Sequence, residues 1–170
     1  MNLANIIVFL LEEKEKIDGW KVLALGCGIG LAEANPKWGH LTGVDIWDYH
    51  KASVDEFIQH DVRTVKDIIP NKSYDLVLCL DIIEHLERME GLKLIKDAEA
   101  IAKEVVVFYT PHEWDENSDA VTDKTAWSYG NPHLYHRSLW TTGDFEGYTI
   151  CDVCFPPETK AAGFLAVKWL

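Results

Sequence analysis

The chain has 170 residues, with 28 Asp and Glu against 16 Lys and Arg, a formal net charge of −12. That length suits one domain with a full core, and 48% apolar with 26% charged residues excludes wholesale disorder and low-complexity architecture. The negative sign argues against nucleic acid bound through counterion release and against anionic membrane surfaces.

Leu3, Ile6, Ile7, Leu10 and Ile17 recur at helical spacing, which predicts an amphipathic helix over residues 1–18, stopped by Gly19. Its apolar run, Ile6 to Leu11, follows no basic residue and meets Glu12 and Glu13 at once. It is too short for a membrane span and unlike a signal peptide. Lys21–Leu25 then reads as a strand ending in Gly26-Cys27-Gly28-Ile29-Gly30, followed by a short helical segment. Leu41–Ile46, Phe57–Asp61 and Asp75–Leu80 read as further strands, the last leading into a helix with Leu92, Ile95, Ala98 and Ile101 on its apolar face. Glu104–Tyr109 is the fifth strand, stopped by Thr110-Pro111. Runs of this kind, alternating with helices, predict a parallel sheet covered on both faces.

Between residues 111 and 140 regularity is lost, yet Trp114, Trp127, Tyr129, Tyr135 and Trp140 are interleaved with the loop chemistry. An irregular stretch this long is usually functional or disordered, and its aromatics argue against disorder, whether they line an acceptor pocket or weld the loop to the body. Tyr148–Phe155 and Phe164–Leu170 predict two strands whose short connection makes them antiparallel neighbours. Cys27, Cys79, Cys151 and Cys154 are too few for a disulfide scaffold, and Cys151 and Cys154, three apart on a strand, point to opposite faces. The expectation is a single cytoplasmic domain, 1–170, in a reducing compartment.

Gly26, Gly28 and Gly30 follow a strand, and Asp45 ends the next strand nineteen residues after Gly26. Glycines allow close approach of a ligand to the backbone, and a strand-end carboxylate can chelate two ribose hydroxyls. The dinucleotide fingerprint needs Gly or Ala where Leu31 stands, and no Gly-Lys-Ser/Thr follows to make a P-loop. A ligand with a ribose and no pyrophosphate fits better.

Val22–Gly30, Gly43-Val44-Asp45, His60-Asp61-Val62 and Tyr74–Leu86 together resemble the successive motifs of class I S-adenosylmethionine-dependent methyltransferases, in order and spacing, over roughly residues 20–111. The resemblance implies an α/β, doubly wound, Rossmann-like fold: a mostly parallel seven-stranded sheet with an antiparallel last strand. It implies S-adenosyl-L-methionine as cofactor and S-adenosyl-L-homocysteine as product. Gly26, Cys27, Gly28 and Gly30 would lie against the methionine part, with Leu80 and Asp81 at that same end. Asp45 would hold the ribose and Ile46 and Trp47 would face the adenine. Asp61 would accept from the adenine amino group, and the Val62 backbone would donate to the ring.

Three departures stand out. Ala24 occupies the place, two before the first glycine, where the family often carries an acid. The link from Asp45 to Phe57 is too short for a helix, and Pro36 truncates the helix after the glycine loop. Asp81-Ile-Ile-Glu84-His85 has three readings: Glu84 and His85 cap the following helix, His85 acts as a general base, or the set holds a divalent cation as in some O-methyltransferases of this fold. His85 is the catalytic candidate, and no metal is expected. His133, Tyr135, His136 and Arg137 are candidates for an acceptor pocket under a 111–140 lid. The expected reaction is methyl transfer to oxygen, nitrogen or carbon of a small-molecule or partner-presented acceptor. The rival is a catalytically silent binding protein on the same fold.

Overall fold

The apolar runs become strands because each is buried on both sides. In the computed structural model, which describes residues 3–13, 15–30, 32–48, 53–154 and 162–170, helix α1 (Leu3–Glu12) precedes β1 (Lys21–Leu25). Then come β2 (His40–Asp45), β3 (Glu56–Gln59), a short 3-10 segment (Val62–Asp67) and β4 (Tyr74–Leu80). Helix α2 (Arg88–Ile101), β5 (Ala102–Pro111), the one-turn helix α3 (Ser118–Thr122), β6 (Thr149–Val153) and β7 (Gly163–Trp169) complete the fold. The seven strands lie in the order β3-β2-β1-β4-β5-β7-β6. The first five run parallel, and β7 is antiparallel to both β5 and β6.

Alternate residues of each strand feed two cores. Val22, Ala24, Leu76, Leu78, Val105 and Val107 pack with α1 residues Leu3, Ile7 and Leu11 and with Trp38. Leu23, Leu25, Val77, Cys79, Val106 and Phe108 pack with α2 and with Trp140 and Phe145. Two-sided burial is why the strands read as unbroken apolar runs. The chain travels outward from β1 through β2 to β3 and returns to β4 beside β1. That reversal leaves a crevice at the carboxyl ends of β1 and β4, where open α/β sheets bind ligands.

The differences from the expected elements have physical causes. Helix α1 ends at Glu12, not residue 18, because Glu12, Glu13 and Glu15 oppose the negative carboxyl end of the helix dipole. Ile17 is still fully buried, reached through a turn. No helix forms among the described residues between Gly30 and His40. The side chain of Asn35 instead accepts from the Lys37 amide at 3.0 Å, making a tight turn around Pro36. Between β2 and β3 residues 49–52 lie outside the described residues, and the described remainder is not helical. The buried face of α2 centres on Gly91, Leu94, Ile95, Ala98 and Ile101, with Leu92 at its margin. Strand β5 continues through Pro111, tolerated because it ends the ladder opposite Gly163. Phe155 and most of the link to β7, 156–161, lie outside the described residues. Among the described residues no helix is long and apolar enough to cross a membrane.

Trp140 ties the 111–140 stretch to the body. Its ring is 1% exposed, its Nε1 donates to the Ser138 hydroxyl at 2.8 Å and the Ile83 carbonyl at 3.1 Å, and the Arg88 guanidinium lies 4.0 Å over it. Gly91 is glycine because a Cβ there would overlap this ring. Trp140→Ala is expected to lower the unfolding free energy by about 3–5 kcal/mol, read from urea denaturation.

Candidate functional site

A cavity of about 410 Å³ opens at the crevice between β1 and β4, within the ordinary range for small-ligand sites. Its floor is Gly26–Gly30, Asp45, Ile46, Leu80 and Asp81, and its roof is Asn117, Ala120, Trp127, Ser128, Asn131, His133 and Leu134. It continues, past Asp45 and Ile46, into a second space of about 210 Å³ bounded by Asp61, Val62, Arg63, Leu86 and Arg137. The irregular 111–140 stretch therefore lies directly over the glycine loop.

The loop turns because Gly26, Gly28 and Gly30 all adopt the left-handed conformation, at φ of 71°, 51° and 74°. Gly26 and Cys27 amides both reach the Val44 carbonyl, at 2.8 and 3.2 Å, which staples the loop to the end of β2. Asp45 completes the staple. One carboxylate oxygen accepts from the Gly28 amide and the other from the Trp47 amide, each at 2.9 Å. Burial raises the Asp45 pKa, against the pull of those amides. Burial pushes the Cys27 thiol up as well, so it is an apolar wall and not a thiolate nucleophile.

At the far end, Asp61 caps the Val62–Asp67 segment and is gripped by Arg63, whose Nε lies 2.9 and 3.0 Å from its two oxygens. The Arg63 guanidinium holds the Asp61 carboxyl below the usual range and also bonds Glu90 at 3.1 Å. Ile46 and Val62 line the space, but the Trp47 side chain does not. Trp47 is half-exposed, with its ring edge-on to His133 at 6.4 Å.

Asp81 leaves β4 in the left-handed conformation, at φ of 49°, unusual for a residue with a side chain. Its amide donates to the Tyr109 carbonyl at 3.1 Å, and its carboxyl faces the cavity. Burial raises the Asp81 pKa to about 6, while Glu84, fully enclosed and hydrogen-bonded to Asp81, is raised well above its ordinary value by burial and by the Asp81 charge. Glu84 and His85 do not cap α2; Glu87 and Glu90 do that through a reciprocal capping box. Glu84 instead accepts from the Thr110 hydroxyl at 3.1 Å, and its carbonyl takes the Arg137 and Ser138 amides at 2.8 and 3.1 Å. Its role is to anchor the roof.

His85 lines both parts of the cavity, with Nδ1 3.4 Å from the Tyr135 carbonyl and its ring 4.8 Å from that of His136. Burial, helped by His136, lowers its pKa to about 4. Of the expected acceptor residues, His133 and Arg137 line the cavity, whereas Tyr135 contributes its carbonyl and His136 packs on His85 and Trp114. Glu84, His85 and His136 bring one ligating atom each to within 4.8 Å of one another, a set able to receive a cation. Cys151 and Cys154 lie far along the chain on and after β6, and both are free thiols.

Glu33 was not legible as a site residue. It is 4% exposed and lines the cavity, with burial raising its pKa to about 8. No spacing in Ala32-Glu33-Ala34-Asn35-Pro36 marks it, since the turn around Pro36 and the packing of Trp38 bring it inward.

Residues 2–148 match the model of a family described as a methyltransferase domain. The chain belongs to that family. A ubiquinone biosynthesis O-methyltransferase of Pasteurella multocida (strain Pm70) is 24% identical over 46% of this methyltransferase-family chain, which spans only 40% of that relative's length. Magnesium protoporphyrin IX methyltransferase of Synechocystis PCC 6803, crystallised with bound SAH, superposes with a TM-score of 0.66 at 16% identity, covering 98% of this chain and 80% of that one. The PH0226 protein of Pyrococcus horikoshii OT3 gives 0.63 at 20% identity, covering 98% and 87%. The class I methyltransferase sheet, with its antiparallel last strand, is thus the fold of this family member.

Its buried acids set a pH signature. Glu33, with an ordinary pKa of 4.5 raised to about 8, favours the folded state while protonated. That stability is full below 4.5 and is lost as pH rises through 8, at up to about 1.4 kcal/mol per pH unit for each such group. Glu33→Gln is expected to flatten the fall in stability between pH 5 and 8, read from thermal melts in the absence of ligand.

Proposed function

We propose that the protein binds S-adenosyl-L-methionine in this cavity and transfers its methyl group to a small-molecule or partner-presented acceptor admitted beneath the 111–140 roof. The observation that carries the reading is the Asp45 carboxylate at the lip of the glycine loop. Each of its oxygens accepts one backbone amide and keeps a lone pair for a further donor, which suits a ribose diol. The bare backbone at Gly28 supports it too, since a Cβ there would stand 3.4 Å from the Trp127 ring and fill the passage between floor and roof.

When bound, the cofactor supplies a methyl on a positively charged sulfur, a leaving group already activated. The protein's own contribution is alignment and exclusion of water. Gly26, Cys27, Gly28 and Gly30 hold the amino-acid part, with Leu80 and Asp81 closing that end. Asp45 fixes the ribose, and Ile46 with the Val62 backbone flanks the base. Asp61, already bound to Arg63, offers a remaining lone pair to an amino group. Trp127, Ser128 and His133 shut the cavity from above. The acidic wall of Asp45 and Asp81 suits a cationic ligand.

His85 serves as a positioning residue in this reading. A ring with a pKa of about 4 is neutral at pH 7 but a feeble base, and its contacts with the Tyr135 carbonyl and His136 fix the roof. A silent binding protein on the same fold would share the binding and lack the turnover. The single 170-residue domain, its cytoplasmic setting and the absence of a metal requirement are part of the proposal.

Asp45→Ala is expected to weaken S-adenosylhomocysteine binding at least about tenfold in calorimetric titration, since hydrogen bonds to a charged group contribute about 1.5–3 kcal/mol each. Unchanged affinity would remove the ribose assignment. The rate of methyl transfer against pH is expected to show no ionisation near 6.5, the ordinary value for imidazole, that depends on His85. An inflection there that vanishes in His85→Ala would make His85 the base. Activity that is lost on chelation and restored by Zn²⁺ or Fe²⁺, ions that take imidazole beside a carboxylate, would assign Glu84, His85 and His136 to a cation.

A further inference from the structure

Glu33 occupies the turn that stands where a helix was expected, and it poses a problem that the remaining site does not solve. Among the described residues its Oε2 is the single buried side-chain oxygen without a hydrogen-bond partner. Its position is fixed: the Trp38 indole donates to the Glu33 carbonyl at 2.8 Å, and the Ala34 amide reaches Gly30 at 3.2 Å. The side chain lines the same cavity as the glycine loop, Asp45 and Asp81. The charges that act on it come from Asp81 and Asp45, both acids, and it acts in turn on the Cys27 thiol.

The neighbouring acids are already engaged. Asp45 receives the Gly28 and Trp47 amides, and Asp81 is hydrogen-bonded to Glu84. Glu33 alone presents a bare oxygen. Strand β1 offers no acid at this end, because Ala24 is buried in the sheet between Gly43 and Leu78. Ala24, Cys27 and Trp38 belong to one core cluster, against which Ala32 and Ala34 pack, so Glu33 approaches over the face of the sheet that Ala24 leaves short. The backbone amides of Glu33 and Ala32 serve this carboxyl, but Oε2 still lacks a donor. A buried carboxyl with one open oxygen, near the acids Asp45 and Asp81, fits an ammonium, which brings three donors and a positive charge.

We infer that Glu33 is the group that receives the α-ammonium of the ligand's amino-acid end, in place of the acid missing at Ala24. The inference rests on the S-adenosylmethionine reading above and gives that site a residue specific for the amino group. It also carries a proton balance. Burial raises the Glu33 pKa to about 8, which favours the protonated carboxyl until a cation faces it. An ammonium placed against Oε2 favours the carboxylate, so the carboxyl proton passes to solvent as the ion pair forms.

Calorimetry with S-adenosylhomocysteine and its deaminated analogue, on wild type and Glu33→Gln at pH 7, in two buffers of different ionisation heat, tests this. Wild type is expected to prefer the amino-bearing ligand at least about tenfold, consistent with a charge-assisted contact. Glu33→Gln is expected to erase that preference, leaving affinity for the deaminated analogue within about twofold. Wild type is expected to release up to about one proton per S-adenosylhomocysteine bound, and the variant markedly fewer. Glutamine matches the shape of the protonated acid, and the wild-type comparison of ligands stands even without the variant. Equal affinity of wild type for the two ligands, or a preference that survives in Glu33→Gln, overturns the role of Glu33 while the cofactor reading stands. Failure of wild type to bind either ligand overturns both.

Discussion

The Asp45 carboxylate bridging the Gly28 and Trp47 amides is the contact on which the rest of the site depends. It joins the ends of two adjacent strands through a loop behind which no helix forms among the described residues. Three left-handed glycines turn the chain, but backbone bonds to Val44 and the Asp45 bridge hold the turn in one shape. A helix dipole pointing at the loop would favour an anion. With no such helix among the described residues, the acids Asp45 and Asp81 set the local field, and so favour positive charge.

The roof obeys a second constraint. Glu84 is buried beneath it, bonded to Thr110 through its side chain and to Arg137 and Ser138 through its backbone. The turn after β4 thus fixes both the left-handed Asp81 at the floor and the start of the segment leading to Trp140. Floor and roof share one anchor. Reorganising this turn would disturb the cavity from two sides at once.

Much of the fold could be read directly because two-sided burial writes itself into sequence as unbroken apolar runs, and five of these became β1, β2, β4, β5 and β7. The glycine loop and Asp45 were legible because their geometry is local: a turn and a strand end. What could not be read depends on contacts distant in sequence. Glu84 and His85 look like a helix cap by spacing, but Thr110 and Tyr135 decide their roles. Trp47 sits beside Ile46, yet in the bend past the end of β2 its ring goes out to His133. Glu33 lies in a polar stretch that resembles any solvated turn, and only the packing of Trp38 against the sheet turns it inward.

The order of the strands has a consequence for how the protein behaves among its own copies. The sheet ends in β3, four residues long, and β6, five residues long. The long β4 and β5, apolar over Leu76–Leu80 and Val105–Tyr109, lie at its centre. On β3 the terminal Glu56 and Gln59 are exposed, and on β6 Asp152 projects outward beside His112. Short edges that carry charge are poor templates for another chain's strand. The same sequence that makes the centre of the sheet sticky in an unfolded chain therefore presents blunt margins once folded, and negative net charge adds repulsion between molecules.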